Sequence, residues 1–311
     1  MNFKGRSLLS LQEFSKDEIA FILKLSMEYK ALVKANVALN SLKNKCIGLF
    51  FALPSTRTRV SFEVAISKLG GYPVYMRLEE LQLIRGETLA DTARVLSRYL
   101  NAIVARVPKH ESLEELAKYS SIPVINALTD MFHPCQALAD LLTILEKKGS
   151  LKGIKLAYVG DGYNNVCHSL LIACSKVGLN IAVASPKGYE PDAMVVEKAL
   201  ENAKLSGSKV EILNSPIEAV RNADVIYTDV FISMGREKER EKRLKDFQGW
   251  QINKEIVRYA KRDYIFMHCL PAHRGEEVAA EIIDDPIHSV IWDQAENRLY
   301  AEMAILALLI P

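Results

Sequence analysis

Short apolar runs alternating with helix-periodic stretches constrain this chain more than any other feature. The clearest unit is residues 46–62, CIGLFFALPSTRTRVSF. An apolar run from Cys46 to Leu53 stops at Pro54. Ser55, Thr56, Arg57, Thr58 and Arg59 follow without a gap. A periodic segment carrying Val60, Phe62, Val64, Ala65 and Leu69 then takes over. This order reads as buried strand, tight loop and helix, with Ser55 at the N-cap. The first helical turn has free N–H donors and the positive end of the macrodipole. Two kinds of hydroxyl and two guanidiniums beside that end suit a doubly charged phosphate. The bland alternative is an N-capped helix with two solvated arginines.

The same alternation continues on both sides. Residues 15–34 carry helical spacing at Ile19, Ile22, Leu23, Leu25 and Met27, with Ser15 as the N-cap. Gly70 and Gly71 end the helix after the loop, and YPVYM reads as a short strand. Residues 79–90 read as a polar loop before a helix that Thr88 or Asp91 starts. AIVARV (102–107) and IPVINAL (122–128) read as buried strands around the helix SLEELAKYS, and residues 133–149 read as one helix. A second series starts at residues 154–160 (IKLAYVG). It continues through a helix over Val166–Val177, then NIAVAS, PDAMVVEKALENAK, KVEIL, SPIEAVRNA, DVIYTDV and YIFMHCL. Strand–helix alternation of this kind predicts α/β architecture with parallel, doubly wound sheets.

With 311 residues, two domains of about 150 are expected. The boundary falls near Gly149, giving 1–148 and 149–295. The terminal helix, read from Glu296, is apolar on several faces and is expected to return to the first domain. A net charge of +2, with 25% charged residues, is too balanced for nucleic acid or a membrane as main partner. Cys46, Cys135, Cys167, Cys174 and Cys269 are odd in number and form no C-x-x-C pair. That pattern fits reduced cytoplasmic thiols better than disulfides or zinc. The amphipathic N-terminus carries acids early, so no secretory signal is expected.

In open parallel sheets ligands bind at the carboxyl ends of strands. Polar clusters recur at those ends: Ser55–Arg59, Arg106, His133–Gln136, Asp161–Asn165, Asp229–Gly235 and His268–Pro271. They point to a site in a cleft between two domains. His133, Arg106 and Gln136 are all hydrogen-bond donors, as an acyl oxygen gaining negative charge requires. GDGYNNVCHS (160–169) fails as a dinucleotide fingerprint, because no third glycine stands at the required spacing. Its asparagines suit an amino-acid ligand better. The charge run after Gly235, REKEREKRLKD, reads as a solvated helix or loop, or beside a cleft as a lid. Adjacent His268 and Cys269 lack the spacing of a zinc site.

PSTRTRVSFE and HPCQALAD resemble the two carbamoyl-phosphate blocks of the carbamoyltransferases. SMG after an aspartate, with HCLPAHRGEEV downstream, resembles the ornithine branch rather than the aspartate branch. The likeness extends from GRSLLSLQEFS to DQAENRLYAEMA. It implies two doubly wound domains, a homo-oligomer built on trimers, and transfer of a carbamoyl group from carbamoyl phosphate to L-ornithine. By the resemblance, Ser55, Thr56, Arg57 and Thr58 would grip the phosphate. Arg106, His133 and Gln136 would hold the carbamoyl group, with Pro134 and Cys135 in the same block and Arg298 completing the site. Gln82 matches the position that the family offers to a neighbouring subunit. Asn165, Asp229, Ser233 and Met234 would bind ornithine, with Cys269 and Leu270 against its side chain. Arg57, Arg106, His133, Asp229 and Cys269 would carry the chemistry. Tyr163 is a local departure, giving GDGYNN where many relatives read GDGNN, and it leaves open whether Asn164 or Asn165 meets the amino acid.

No metal or organic cofactor is expected, because the leaving group is already activated. Putrescine or N-acetylornithine is the alternative acceptor within the class. A nicotinamide-dependent dehydrogenase and a non-catalytic binding protein are the alternatives outside it. The broken glycine fingerprint argues against the first, and the intact donors around the phosphate loop against the second.

Overall fold

Two parallel α/β units account for the chain in the computed structural model, which describes residues 1–233 and 235–311. The first unit comprises Met1–Leu142 with Asn297–Pro311, and the second Thr143–Glu296.

The first unit opens with α1 (Lys16–Lys34). Ser15 accepts from the Glu18 amide and Glu18 answers to the Ser15 amide, a reciprocal capping box. Then follow β1 (Cys46–Phe51), α2 (Thr56–Lys68), β2 (Tyr72–Arg77), α3 (Leu89–Tyr99), β3 (Ala102–Arg106), α4 (His110–Tyr119), β4 (Val124–Leu128) and α5 (Pro134–Lys148). The four strands pair in parallel in the order β2-β1-β3-β4. β1 and β3 are buried almost throughout, the pattern of strands covered on both faces. The expected polar loop over 79–90 contains two 3₁₀ turns, Leu78–Glu80 and Gln82–Arg85, before Thr88 caps α3.

The second unit holds β5 (Lys155–Val159), α6 (Asn165–Val177), β6 (Asn180–Ala184), α7 (Ala193–Ser206), β7 (Val210–Leu213), α8 (Pro216–Val220) and β8 (Val225–Thr228). α9 (Arg240–Asp246), α10 (Lys254–Val257), β9 (Ile265–His268), α11 (Ala280–Ile283) and α12 (Ile291–Leu309) complete the chain. Its sheet has the order β7-β6-β5-β8-β9, again parallel. Ala157, Val159, Ile226 and Phe266 sit at the centre of its core, covered by Val220, Ile252 and Ile282. α10 and α11 were not expected, since runs of four residues show no periodicity. α12 begins at Ile291 rather than Glu296. Its later part is buried through Tyr300, Met303, Ile305 and Leu306, in the segment assigned to the first unit.

Each sheet has one point where the chain reverses direction across the strand order. It lies between β1 and β3 in the first unit and between β5 and β8 in the second. Crevices beside such points are where open α/β sheets bind ligands.

Candidate active site

In the first unit, the β1–α2 connection delivers Ser55 as N-cap of α2, accepting from the Thr58 amide at 3.3 Å. Thr56 and Arg57 are exposed in the first turn and Thr58 is buried. On the adjacent strand, the pairing of β3 with β4 slips by one residue between Ala105 and Arg106. Such a bulge re-aims the following side chain. Arg106 is 7% exposed, and its Nε has no hydrogen-bond partner among the described residues. Burial, with the charges of Arg298 and Arg57, lowers its guanidinium to about 10. His133, ahead of α5, is buried, and its carbonyl accepts from the Gln136 and Ala137 amides. Burial together with Arg298, Arg106 and Arg57 holds its imidazole well below the usual histidine range, hence neutral at neutral pH.

Arg298, from α12, closes this cluster. Its Nη1 donates to Gln136 Oε1 at 2.8 Å and lies 3.5 Å from His133 Nε2. Its Nη2 reaches Thr58 Oγ1 at 3.4 Å. Behind it, Glu302 accepts from Arg298 Nε at 3.1 Å and Nη2 at 2.7 Å. Gln136 Nε2 in turn donates to the buried Asp140 at 2.8 Å. Burial pushes the Glu302 carboxyl up to about 7, against the pull of Arg298. Burying Arg106 and His133 beside the charges of Arg298 and Arg57 is costly without an anion. The two carboxylates lie behind Arg298 and Gln136, so they offset charge through groups that also orient the donors. A dianion with a developing negative oxygen is the ligand chemistry that such an array meets.

In the second unit, three strand ends meet around one carboxylate. Asp229, just past β8, is 6% exposed. Its Oδ2 accepts from Asn164 Nδ2 at 2.9 Å. Its Oδ1 accepts from the Val230 amide at 2.8 Å and from Cys269 Sγ at 3.2 Å. Asn164 Nδ2 also lies 3.3 Å from Ser233 Oγ, while its Oδ1 caps α6 by accepting from the Val166 and Cys167 amides. Gly162 is required in this turn, because a Cβ there would meet Tyr189 O at 2.7 Å. Past β9, Leu270 holds φ 60, a region costly for a bulky residue, and its amide donates to His268 Nδ1 at 2.9 Å. His268 Nε2 faces the buried Glu277 at 3.1 Å. Donor atoms of Asp229, His268 and Cys269 lie within 4.8 Å of one another. Both ring nitrogens of His268 are nevertheless engaged, so this trio does not fit a metal.

The expected residues therefore divide. Ser55, Thr58, Arg106, His133, Gln136 and Arg298 converge in the first unit, with Arg57 close enough to shift Arg106 and His133. Arg59 is committed elsewhere, to Glu63 at 3.0 Å and over the Tyr75 ring at 3.8 Å. Pro134 opens α5, and Cys135 donates into the fold, to Asn126 O at 3.3 Å, with burial pushing its thiol up. Gln82 is exposed in its 3₁₀ turn, 3.5 Å from Arg85 Nη1. Asp229, Ser233 and Cys269 come together in the second unit. Asn164 joins them, whereas Asn165 is the first residue of α6 and its carbonyl accepts from Ser169. Met234 lies outside the described residues. Glu302 and Asp140 were missed, although each stands four positions after its partner, the spacing that brings helical side chains together.

Residues 6–146 match the profile of the aspartate/ornithine carbamoyltransferase carbamoyl-P binding domain, and residues 152–309 that of the Asp/Orn binding domain. The chain belongs to the aspartate/ornithine carbamoyltransferase family. Among its relatives, the ornithine carbamoyltransferase of Pyrococcus horikoshii is 56% identical over 310 residues, covering 100% of this chain and 97% of the relative. The anabolic ornithine carbamoyltransferase of Pyrococcus furiosus is 56% identical over 308 residues, covering 99% and 97%. A solved ornithine carbamoyltransferase from Pyrococcus furiosus superposes with a TM-score of 0.96 at 55% identity, covering 100% of this chain and 98% of that one. One from Gloeobacter violaceus gives 0.89 at 45%, covering 100% of both.

Proposed function

We infer that this chain transfers the carbamoyl group of carbamoyl phosphate to the side-chain amine of L-ornithine, giving L-citrulline and phosphate. The observation that carries the reading is the convergence of Thr58, Arg106, His133, Gln136 and Arg298 at the start of α2, with Arg57 beside them. Full-length likeness to ornithine carbamoyltransferases supports the choice of acceptor.

The chemistry follows from these positions. Ser55, Thr56, Arg57 and the free amides of α2 receive the phosphate. Arg106, neutral His133 and Thr58 face the carbonyl oxygen, with Gln136 and Arg298 holding the carbamoyl group. The acceptor amine attacks the carbonyl carbon only when unprotonated, since an ammonium has no lone pair. Asp229 and Cys269 position that amine, while Asn164, Asn165, Ser233 and Leu270 shape its surroundings. The C–N bond forms, the C–O bond to phosphate breaks, and the amine's second proton leaves with the phosphate. Orientation and preorganised charge supply the catalysis, and no cofactor enters any step.

Asp229→Asn tests the division of labour between the two clusters. It is expected to raise the KM for ornithine by tenfold or more, on the order of one lost charge-assisted hydrogen bond, with the KM for carbamoyl phosphate nearly unchanged. Equal weakening of both would count against it.

A homo-oligomer of trimers or their multiples goes with this reading, and Gln82 then serves a neighbouring subunit. Val60, Val64, Tyr72, Val74, Val95 and Tyr99 are exposed on α2, β2 and α3, and β2 is a sheet edge. Sedimentation velocity is expected to give a species of at least trimer mass, and a monomer contradicts it. No helix among the described residues is long and apolar enough to cross a membrane. The odd number and scatter of Cys46, Cys135, Cys167, Cys174 and Cys269 support a cytoplasmic location. The anabolic name of the Pyrococcus furiosus relative supports a role in arginine biosynthesis rather than in ornithine degradation.

A further inference from the structure

The charge run that follows Gly235 is exposed over most of its described residues and folds in part as α9, yet one arginine of α9, Arg243, is 2% exposed. Arg243 Nη1 donates to Asp161 Oδ2 at 2.6 Å and to Phe231 O at 2.9 Å, while its Nε donates to Glu239 at 2.8 Å. Asp161 is fully buried, and its Oδ1 accepts from the Tyr163 amide at 3.1 Å. The bonds run in series from Phe231 O through Arg243 and Asp161 to the Tyr163 amide. One end lies two positions after Asp229, and the other end directly precedes Asn164. They therefore tie together the two loops whose side chains meet as Asp229, Asn164 and Ser233.

We propose that Arg243 and Asp161 are positioning residues for the acceptor site, a buried ion pair that holds the 229–233 loop in register with the 160–164 loop. The proposal rests on the reading of Asp229, Asn164 and Ser233 as the ornithine cluster. A buried ion pair is a poor device for stability alone, because apolar side chains of similar volume often do as well. Apolar material is already at hand. Phe231 stacks on Phe247 at 4.4 Å, and the Tyr189 ring, 4.8 Å from Phe247, lies 5.0 Å from the Arg243 guanidinium carbon. Tyr189 also donates to Asp246 at 2.8 Å, which fixes the far end of α9. The ion pair adds direction, since each of its bonds sets a distance between the two loops. Arg236, beyond the 229–233 loop, lies over the Tyr163 ring at 5.9 Å and is a second link to the 160–164 loop.

The test compares full-length wild type with Asp161→Asn, Arg243→Lys and the double variant Asp161→Leu/Arg243→Met. Thermal stability and the separate KM values for ornithine and carbamoyl phosphate are read for each. Displacing a binding group by about an ångström costs up to about 100-fold. The single variants are therefore expected to raise the ornithine KM about 10- to 100-fold, with the carbamoyl-phosphate KM within about twofold. The double variant is expected to regain most of the wild-type melting temperature while keeping the raised ornithine KM. That outcome separates positioning from stability. An unchanged ornithine KM, an equal rise for both substrates, or a double variant that restores ornithine KM along with stability overturns the proposal. Wild type that makes no citrulline overturns the ornithine reading instead.

Discussion

Arg57→Gly is expected to lower the rate of carbamoyl transfer about 10²- to 10³-fold, the usual cost of removing one donor aimed at developing charge. Arg57 is exposed in the first turn of α2 and lies outside the core. Glycine within a helix costs only about 1 kcal/mol. The far-ultraviolet spectrum and melting temperature should stay close to wild type while turnover collapses. Near-normal turnover would remove Arg57 from the phosphate grip and leave that role to the α2 amides with Ser55 and Thr56.

Removing Arg298 has the largest expected effect on stability. Its guanidinium meets Glu302, Gln136 and Thr58, and Glu302 has no exposed surface. Arg298→Met leaves that carboxylate buried without its counter-charge, which typically costs about 3–5 kcal/mol. Arg298→Met/Glu302→Leu replaces the whole pair with apolar side chains and should recover most of that loss. Both variants should fail to bind carbamoyl phosphate, because Gln136 and Thr58 lose the group that holds them. Denaturant unfolding with parallel binding titrations separates the two effects. If the double variant were no more stable than the single, the pair would not be the source of the loss. If either bound carbamoyl phosphate normally, Arg298 would be structural only.

The fold was legible where the governing signals are local. Ser15 and Ser55, and Thr88 of the two starts offered with Asp91, each cap a helix where an oxygen-bearing side chain precedes an apolar period. The strands were legible because parallel sheets bury both faces and leave continuous apolar runs such as Ile103–Ala105. The donors at the strand ends were legible as types, because a dianion and an oxyanion restrict which side chains serve.

What escaped depends on long-range partners. The role of Arg243 is set by Asp161, far away in sequence, and nothing in REKEREKRLKD distinguishes it from its solvated neighbours. Asn164 and Asn165 differ by one step at a helix start. That step decides which of them caps α6 and turns its amide to Asp229. Glu302 and Asp140 sit in largely apolar stretches of their helices, where an acid reads as an interruption. Only the spacing from Arg298 and Gln136 reveals what they hold.

Citrulline formation from carbamoyl phosphate, with ornithine, putrescine, N-acetylornithine and aspartate offered as separate acceptors, tests the central claim most directly. The account predicts a strong preference for ornithine, because Asp229, Asn164, Ser233 and Cys269 form one cluster around a single carboxylate. Preference for another acceptor, or no transfer to any, would contradict it.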